Sequence, residues 1–285
     1  MAITAKEVQA LRELTGAGMM DCKRALTEAN GDLDAAKDIL RQRGQAKGAK
    51  REGKATGEGT VVYAAKPDGS QVVLLELNCE TDFVGKSDDF RALAQKLADK
   101  ALAENISDPE AVGGTDWIDE AVSRLGEKIR VGRLLNWQIE QPGVAGVYVH
   151  TATGRVAVIA ELGLGEPAGD KLEAALEICR ELGMQATAMK PVCLSREQVS
   201  TEMVEHEREV LRGAADMVNK PAQIQDKIID GRMGKFYSEI CLLEQTYARD
   251  NTKTMAQYVA DAAKAAGLSV TVRRYERVEV GRGES

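Results

Sequence analysis

The chain writes one hairpin twice, and that repeat limits the folds open to it. Val62-Tyr63-Ala64-Ala65-Lys66-Pro67-Asp68-Gly69-Ser70-Gln71-Val72-Val73-Leu74-Leu75-Glu76-Leu77 reads as two strands joined by a Pro67-Asp68-Gly69-Ser70 turn. Eighty-five positions later comes Val147-Tyr148-Val149-His150-Thr151-Ala152-Thr153-Gly154-Arg155-Val156-Ala157-Val158-Ile159-Ala160-Glu161-Leu162. The two align without a gap: Tyr63 falls on Tyr148, Gly69 on Gly154, Glu76 on Glu161 and Leu77 on Leu162.

Each copy is followed by helical spacing. Residues 87–104 put Phe90, Leu93, Ala94, Leu97, Ala101 and Leu102 on one face, and residues 170–189 do the same with Leu172, Ala175, Leu176, Cys179 and Leu182. A further strand pattern closes each unit, over 130–140 (Val131, Leu134, Leu135, Trp137, Ile139) and over 268–280 (Val270, Val272, Tyr275, Val278). This order predicts an α+β fold of two repeated subdomains, each a small antiparallel sheet covered by helices. The first is expected over 60–140 and the second over 141–194 and 234–280.

The copies part at one place. The first continues Asn78-Cys79-Glu80-Thr81-Asp82-Phe83-Val84-Gly85-Lys86, and the second Gly163-Leu164-Gly165-Glu166-Pro167-Ala168-Gly169. A fold built by both halves does not require Thr81, Asp82, Phe83 and Val84, so those residues are free for another use. Phe is scarce, three in 285 residues. Periodicity alone favours Phe83 tucked back under its loop as core. The competing reading holds the ring at the surface between a strand and a helix, where it enters a partner's pocket.

Before the repeat, Thr4-Ala5-Lys6-Glu7 is a capping box opening a helix to about Leu14. Gly16 and Gly18 permit a turn, and a second helix over 19–30 spaces Cys22, Ala25, Leu26 and Ala29 by threes and fours. Gly31 ends it, and Asp32 caps a third over 33–43 with Leu33, Ala36, Ile39 and Leu40 inward. The result is a three-helix bundle over 1–44, similar to the ubiquitin-associated type, which binds through the turn between its first two helices. Met19 and Met20 at that turn either close a thin core or make a contact. Residues 45–59, glycine-rich and basic without apolar periodicity, read as a linker.

In the second half, Ser195-Arg196-Glu197-Gln198 is a further capping box. Val199, Met203, His206, Val210, Gly213 and Met217 follow at alternating spacings of four and three, and Ile224, Ile228, Ile229, Met233, Phe236 and Ile240 return after Asn219-Lys220-Pro221. An antiparallel coiled-coil hairpin over 195–233 is expected, with Pro221 opening its second helix, His206 packed or half-exposed on its seam, and a tail over 281–285.

A formal charge of −7 argues against direct nucleic-acid binding, which needs a basic excess to meet phosphates. No apolar run is long enough to cross a bilayer, and the N-terminus lacks a signal-peptide layout, so a cytoplasmic protein is expected. Five scattered cysteines, Cys22, Cys79, Cys179, Cys193 and Cys241, read as reduced, mostly buried thiols, and two histidines, His150 and His206, leave little for a metal site. No metal or cofactor is expected. A catalytic reading would group Cys79 as nucleophile, Asp82 as orienter and His150 as base. A third reading is a scaffold whose bundle and arm each bind a protein with no further effect.

Leu11-Arg12-Glu13-Leu14-Thr15-Gly16-Ala17-Gly18-Met19-Met20-Asp21-Cys22-Lys23 and Asn78-Cys79-Glu80-Thr81-Asp82-Phe83-Val84 resemble the bacterial elongation factor Ts family. Gly231-Arg232-Met233-Gly234-Lys235-Phe236 adds a third match, and the resemblance covers essentially the whole length. It implies a nucleotide-exchange factor, not an enzyme, acting on elongation factor Tu. Thr81, Asp82, Phe83 and Val84 would intrude near the Mg²⁺ and phosphate pocket of that partner's GTPase domain, while Arg12, Met19, Met20 and Lys23 grip a helix of the same domain. His150 falls where the family has a histidine that pushes on the phosphate-loop side, with Thr151 after it in place of Gly. The hairpin would reach a further domain of elongation factor Tu or a second copy of this chain as a homodimer. The longer C-terminal helix of some relatives is not expected after Val280.

Overall fold

A computed structural model describes residues 3–50, 53–214 and 221–282, with the backbone alone for 45–50 and 222. Three helices come first: α1 (Ala5–Thr15), α2 (Met19–Glu28) and α3 (Leu33–Lys50). The Thr4 capping box is formed, Gly16 ends α1 in the left-handed region, and the Asp32 carboxylate accepts from the amides of Asp34 and Ala35. Leu11, Cys22, Ala25, Leu26, Ala36 and Leu40 close a small core.

Two antiparallel three-stranded sheets follow, as the repeat predicts. The first has the order β1 (Glu58–Ala65), β2 (Gln71–Cys79), β3 (Arg130–Gln138), and between β2 and β3 the chain forms α4 (Asp82–Gly85), α5 (Asp88–Ala103), α6 (Pro109–Gly113) and α7 (Asp116–Leu125). The second sheet has the order β4 (Gly143–Val149), β5 (Val156–Leu164), β6 (Val270–Glu279). Its excursion between β5 and β6 carries α8 (Leu172–Met189), α9 (Thr201–Arg212), α10 (Ala222–Ile240) and α11 (Met255–Ala265). Gly69 and Gly154 turn the two hairpins with φ of 69° and 62°.

Each central strand is buried on both faces, which is why its sequence is an unbroken apolar run. On β2, Val73, Leu75 and Leu77 meet the helices while Val72 and Leu74 point the other way, against Ala157 and Ile159 of β5. On β5, Val158, Ala160 and Leu162 meet α8 and α11. The layers therefore run helix, sheet, sheet, helix. One buried acid per central strand interrupts the run, at the same repeat position. Glu76 and Glu161 are both 3% exposed, and each is paired with arginine from the third strand of its sheet: Arg133 at 3.2 Å from Glu76, Arg273 and Arg274 at 3.1 and 2.7 Å from Glu161. The register shifts beside both, between Leu75 and Leu77 and between Glu161 and Leu162.

Several expectations need correcting. The linker expected over 45–59 begins inside a helix, because α3 runs to Lys50, and it ends inside β1, which starts at Glu58. The alanines and lysines of 46–50 propagate a helix that already has a docked stem: α3 lies on α7 so closely that a Cβ at Gly44 would stand 2.8 Å from the Asp119 carbonyl oxygen. Leu33 is exposed rather than inward. Gly281 is not a loose tail, since its amide donates to Glu76 at 2.9 Å.

The inserted arm starts later than expected and ends later. Ser195 opens only a short 3-10 turn, with the Gln198 side chain accepting from the Leu194 amide, and Ser200 is the cap of α9. Its second helix runs seven residues past 233, because Gly234 sits inside it without a break. The face turned inward is Val204, Leu211 and Ala214 against Ile228, Ile229, Met233 and Phe236. Met203, His206 and Val210, placed on the seam by the spacing rule, are exposed, as is Ile224. Residues 204, 211 and 214 carry the same heptad spacing one position later, and Leu211 offers more apolar surface than Val210. Pro221 is the N-cap of α10 rather than its first residue, and Met217, Asn219 and Lys220 lie outside the described residues.

Candidate protein-binding prong and its supports

The divergent stretch after β2 forms a single helical turn. Thr81 caps α4, its hydroxyl facing the Val84 amide at 3.5 Å. Phe83 is 84% exposed, above every other large apolar side chain among the described residues. The reading that tucks this ring into its own core is therefore wrong. Val84 fills that role, packing on the core between sheet and helices. Gly85 lets the turn sit on β1: a Cβ there would lie 3.2 Å from the Gly59 nitrogen. The Asp82 carboxylate accepts from Lys86 Nζ at 2.6 Å, and that hydrogen bond holds its acidity stronger than an ordinary aspartate's.

What fixes the prong lies in the segment between α7 and β3. Both Glu127 oxygens are committed to it: Oε2 accepts from the amides of Glu80 and Thr81 at 3.1 and 3.0 Å, and Oε1 from the Thr81 hydroxyl at 2.5 Å. The Glu80 carboxylate answers by accepting from the Lys128 amide at 2.7 Å. This reciprocal clamp joins two loops by four hydrogen bonds, so the ring is presented on a backbone that has little freedom to fold back.

The other expected contact residues lie on supports of the same rim. Arg12, Met19, Met20 and Lys23 are all exposed at the turn from α1 to α2, with the methionines 55% and 66% exposed, so they do not close the bundle core. Gly16 of that turn lies against the Arg124 side chain of α7, where a Cβ would collide, and Arg124 also reaches Asp89 of α5 at 3.4 Å. One helix, α7, thus braces the bundle turn with Arg124 and leads through Gly126 into the Glu127 clamp. His150 stands at the hairpin turn of the second sheet, its Nδ1 3.2 Å from the Thr153 hydroxyl. The Gly154 carbonyl at the end of that turn accepts from the Val61 amide and the Thr60 hydroxyl at 2.8 and 3.0 Å. Gly59, Thr60 and Val61 are consecutive on β1, so the His150 turn and the prong rest on neighbouring residues of one strand.

A family model described as Elongation factor TS matches residues 80–282. The chain belongs to the elongation factor Ts family. A protein named Elongation factor Ts from Desulfovibrio desulfuricans is 41% identical over 283 residues, covering 98% of each chain. Those of the same name from Nitratidesulfovibrio vulgaris and Symbiobacterium thermophilum are each 40% identical, covering 99% of this chain and 96% and 93% of their own. Family membership carries a role in translation elongation.

The catalytic grouping fails at its nucleophile. Cys79 is buried, its thiol donates to the Thr81 carbonyl at 3.1 Å, and burial with the nearby Glu127 charge pushes it up to about 12. His150 is engaged with Thr153 on the other sheet. Among the described residues no three of His, Cys, Asp and Glu come together as metal ligands, and no helix is long and apolar enough to cross a membrane. Sequence reasoning missed Glu127 and Arg124. For α7 a signal was present, since Ile118, Ala121, Val122 and Leu125 follow helical spacing up to Gly126. For Glu127 there was none, because an acid in a short loop looks like any solvated acid.

Proposed function

We propose that this chain binds elongation factor Tu in its GDP form and speeds GDP release, leaving the site open to GTP. The reading rests above all on Phe83, an aromatic ring held out in solvent on a clamped turn that the sister half of the fold does without. Phe83 inserts as an apolar wedge into the GTPase domain. Asp82 beside it disturbs the shell around the partner's Mg²⁺, which lowers the charge neutralisation of the diphosphate and loosens GDP. To act there Asp82 leaves Lys86, and an exposed, solvent-screened pair of this kind holds it only weakly. Arg12, Met19, Met20 and Lys23 grip a helix of the same domain from the ubiquitin-associated-like bundle, and His150 adds a contact on the phosphate-loop side. The arm of α9 and α10, as an antiparallel coiled-coil hairpin, meets a further domain of the partner or a second copy of the chain. The work is done in the cytoplasm by binding alone. Linkage makes it reciprocal: whatever factor this chain takes from GDP affinity, GDP takes from the affinity for this chain.

Release of fluorescent GDP from elongation factor Tu tests the reading. The wild-type chain should accelerate release, excess Mg²⁺ should oppose it, and Phe83→Ala should lose most of the acceleration while melting like wild type. A chain that merely tethers its partners would accept Phe83→Ala with the release rate unmoved, and that result would overturn the proposal.

A further inference from the structure

The arm leaves the second core half near Leu194 and returns near Cys241, and the two roots are laced together. The amides of Val192 and Cys193 donate to the Ile240 carbonyl at 2.8 and 3.2 Å, that of Leu242 to the Cys193 carbonyl at 2.9 Å, and that of Leu243 to the Leu194 carbonyl at 3.0 Å. This short parallel pairing sets Cys193 directly beside Cys241, 48 positions away in sequence, with their sulfurs 3.6 Å apart. The other three thiols, Cys22, Cys79 and Cys179, are buried in three different cores. Cys241 is fully buried, whereas Cys193 is partly exposed and lines an open cleft of about 650 Å³ with Lys190, Arg274 and Arg277 on its walls.

We infer that Cys193 and Cys241 are an oxidisable dithiol, in which a hydroperoxide attacked by Cys193 leads to a disulfide across the two roots of the arm. The sulfur separation is a van der Waals contact that must close by about 1.5 Å to reach a bond of about 2.05 Å. In the first step the Cys193 sulfur takes the distal oxygen of ROOH, breaking the O–O bond, giving the sulfenic acid Cys193–SOH and releasing ROH. In the second the Cys241 sulfur attacks Cys193, the S–S bond forms, and hydroxide leaves with the Cys241 proton as water. Two thiols are oxidised by two electrons and one peroxide is reduced. Burial keeps the Cys241 thiol protonated, pushed up to about 12, so it does not meet the oxidant itself and serves only to resolve the sulfenic acid held against it. In a reducing compartment the resting state is the dithiol. Neither residue belongs to the prong or its clamp, so the oxidation can be tested on this chain alone, without elongation factor Tu.

The experiment treats the folded full-length chain with a small excess of hydrogen peroxide, alkylates it, digests it without reductant and maps the peptides by mass spectrometry. The expected product is the Cys193–Cys241 cross-linked peptide, with two of the five thiols lost and both recovered by dithiothreitol. A single protease cut within the arm should then leave the two fragments joined until reductant is added. Cys241→Ser should accumulate a dimedone-reactive sulfenic acid at Cys193, and Cys193→Ser should leave Cys241 reduced. The inference falls if the native chain carries sulfinic or sulfonic acid at Cys193 with no cross-linked peptide. It also falls if that peptide forms only after unfolding in urea.

Discussion

After β2 the chain runs into Thr81-Asp82-Phe83-Val84, and after β5, at the matching point of the repeat, into Glu166-Pro167-Ala168-Gly169. Both stretches are tied to the residues that precede the third strand of their sheet. In the first half the tie is the Glu127 carboxylate on two amides and a hydroxyl. In the second it is the Gly165 amide on the Ser269 carbonyl at 2.9 Å and Lys171 Nζ on the Gly267 carbonyl at 2.8 Å. The apolar residue then goes opposite ways: Phe83 stands 84% exposed, while Ala168 is packed into the core at 9%. A symmetric frame with one asymmetric loop teaches that the frame serves folding and the loop serves something outside it.

If the halves are equivalent as frames, the buried glutamates should matter equally. Glu76→Ala and Glu161→Ala are each expected to lower unfolding free energy in urea by about 2–4 kcal/mol, since each leaves arginine without its buried carboxylate. A cost below about 1 kcal/mol in one half alone would break the equivalence. The loops should respond in the opposite sense. Phe83→Ala should slow partner-stimulated GDP release roughly thirtyfold, the scale of a central contact residue, and shift stability by less than about 0.5 kcal/mol. Ala168→Phe should overfill the second core at a cost of about 1–3 kcal/mol, leaving release per folded molecule unchanged.

Where periodicity meets a docked, two-sided environment, the sequence is readable. Glu76 and Glu161 align by the repeat alone, the Gly69 and Gly154 turns fall at matching places, and Phe90, Leu93, Ala94 and Leu97 line the expected face of α5. The arm is legible only as an arm: one-sided burial over a thin core lets two heptad frames compete, and Leu211 decides against the frame that Val210 suggests. The Ser195 box fails because Gln198 turns back to the Leu194 amide and takes the side chain that the box needs. In the site, the excess of Thr81 to Val84 over its repeat partner is visible in the sequence, whereas the outward turn of Phe83 is not. That depends on Glu127, whose role exists only once α7 has brought it against Glu80 and Thr81.

The clamp is therefore the next place to sharpen the contrast. Glu127→Ala removes the acceptor of two amides and one hydroxyl, so a stability loss of about 1–2 kcal/mol is expected. Release should fall roughly tenfold through a misplaced prong, because small displacements of a positioned group are costly. Hydrogen exchange at the Glu80 and Thr81 amides should quicken, and Glu127→Gln, which keeps one accepting oxygen, should fall between. Unchanged exchange at those amides would show that the loop holds its shape by packing alone.

The smallest effect belongs to Asp82 and Lys86, whose counterpart in the second half is the longer Lys171–Glu166 contact at 3.5 Å. The Lys86 hydrogen bond draws the Asp82 carboxyl below its ordinary value of 3.8. A depressed acid of this kind contributes above its unfolded value, and the contribution disappears as pH falls through the lower folded one. Between about pH 5 and 8 the group therefore stays ionised, and no pH dependence of release should trace to it. Lys86→Ala should move the Asp82 carboxyl titration, followed by NMR, back up towards 3.8. It should also alter release by less than about fivefold, since an exposed pair is worth little and its loss frees Asp82 for the partner. A larger fall would mean that Lys86 touches the partner directly, and the prong would then extend one turn further than Val84.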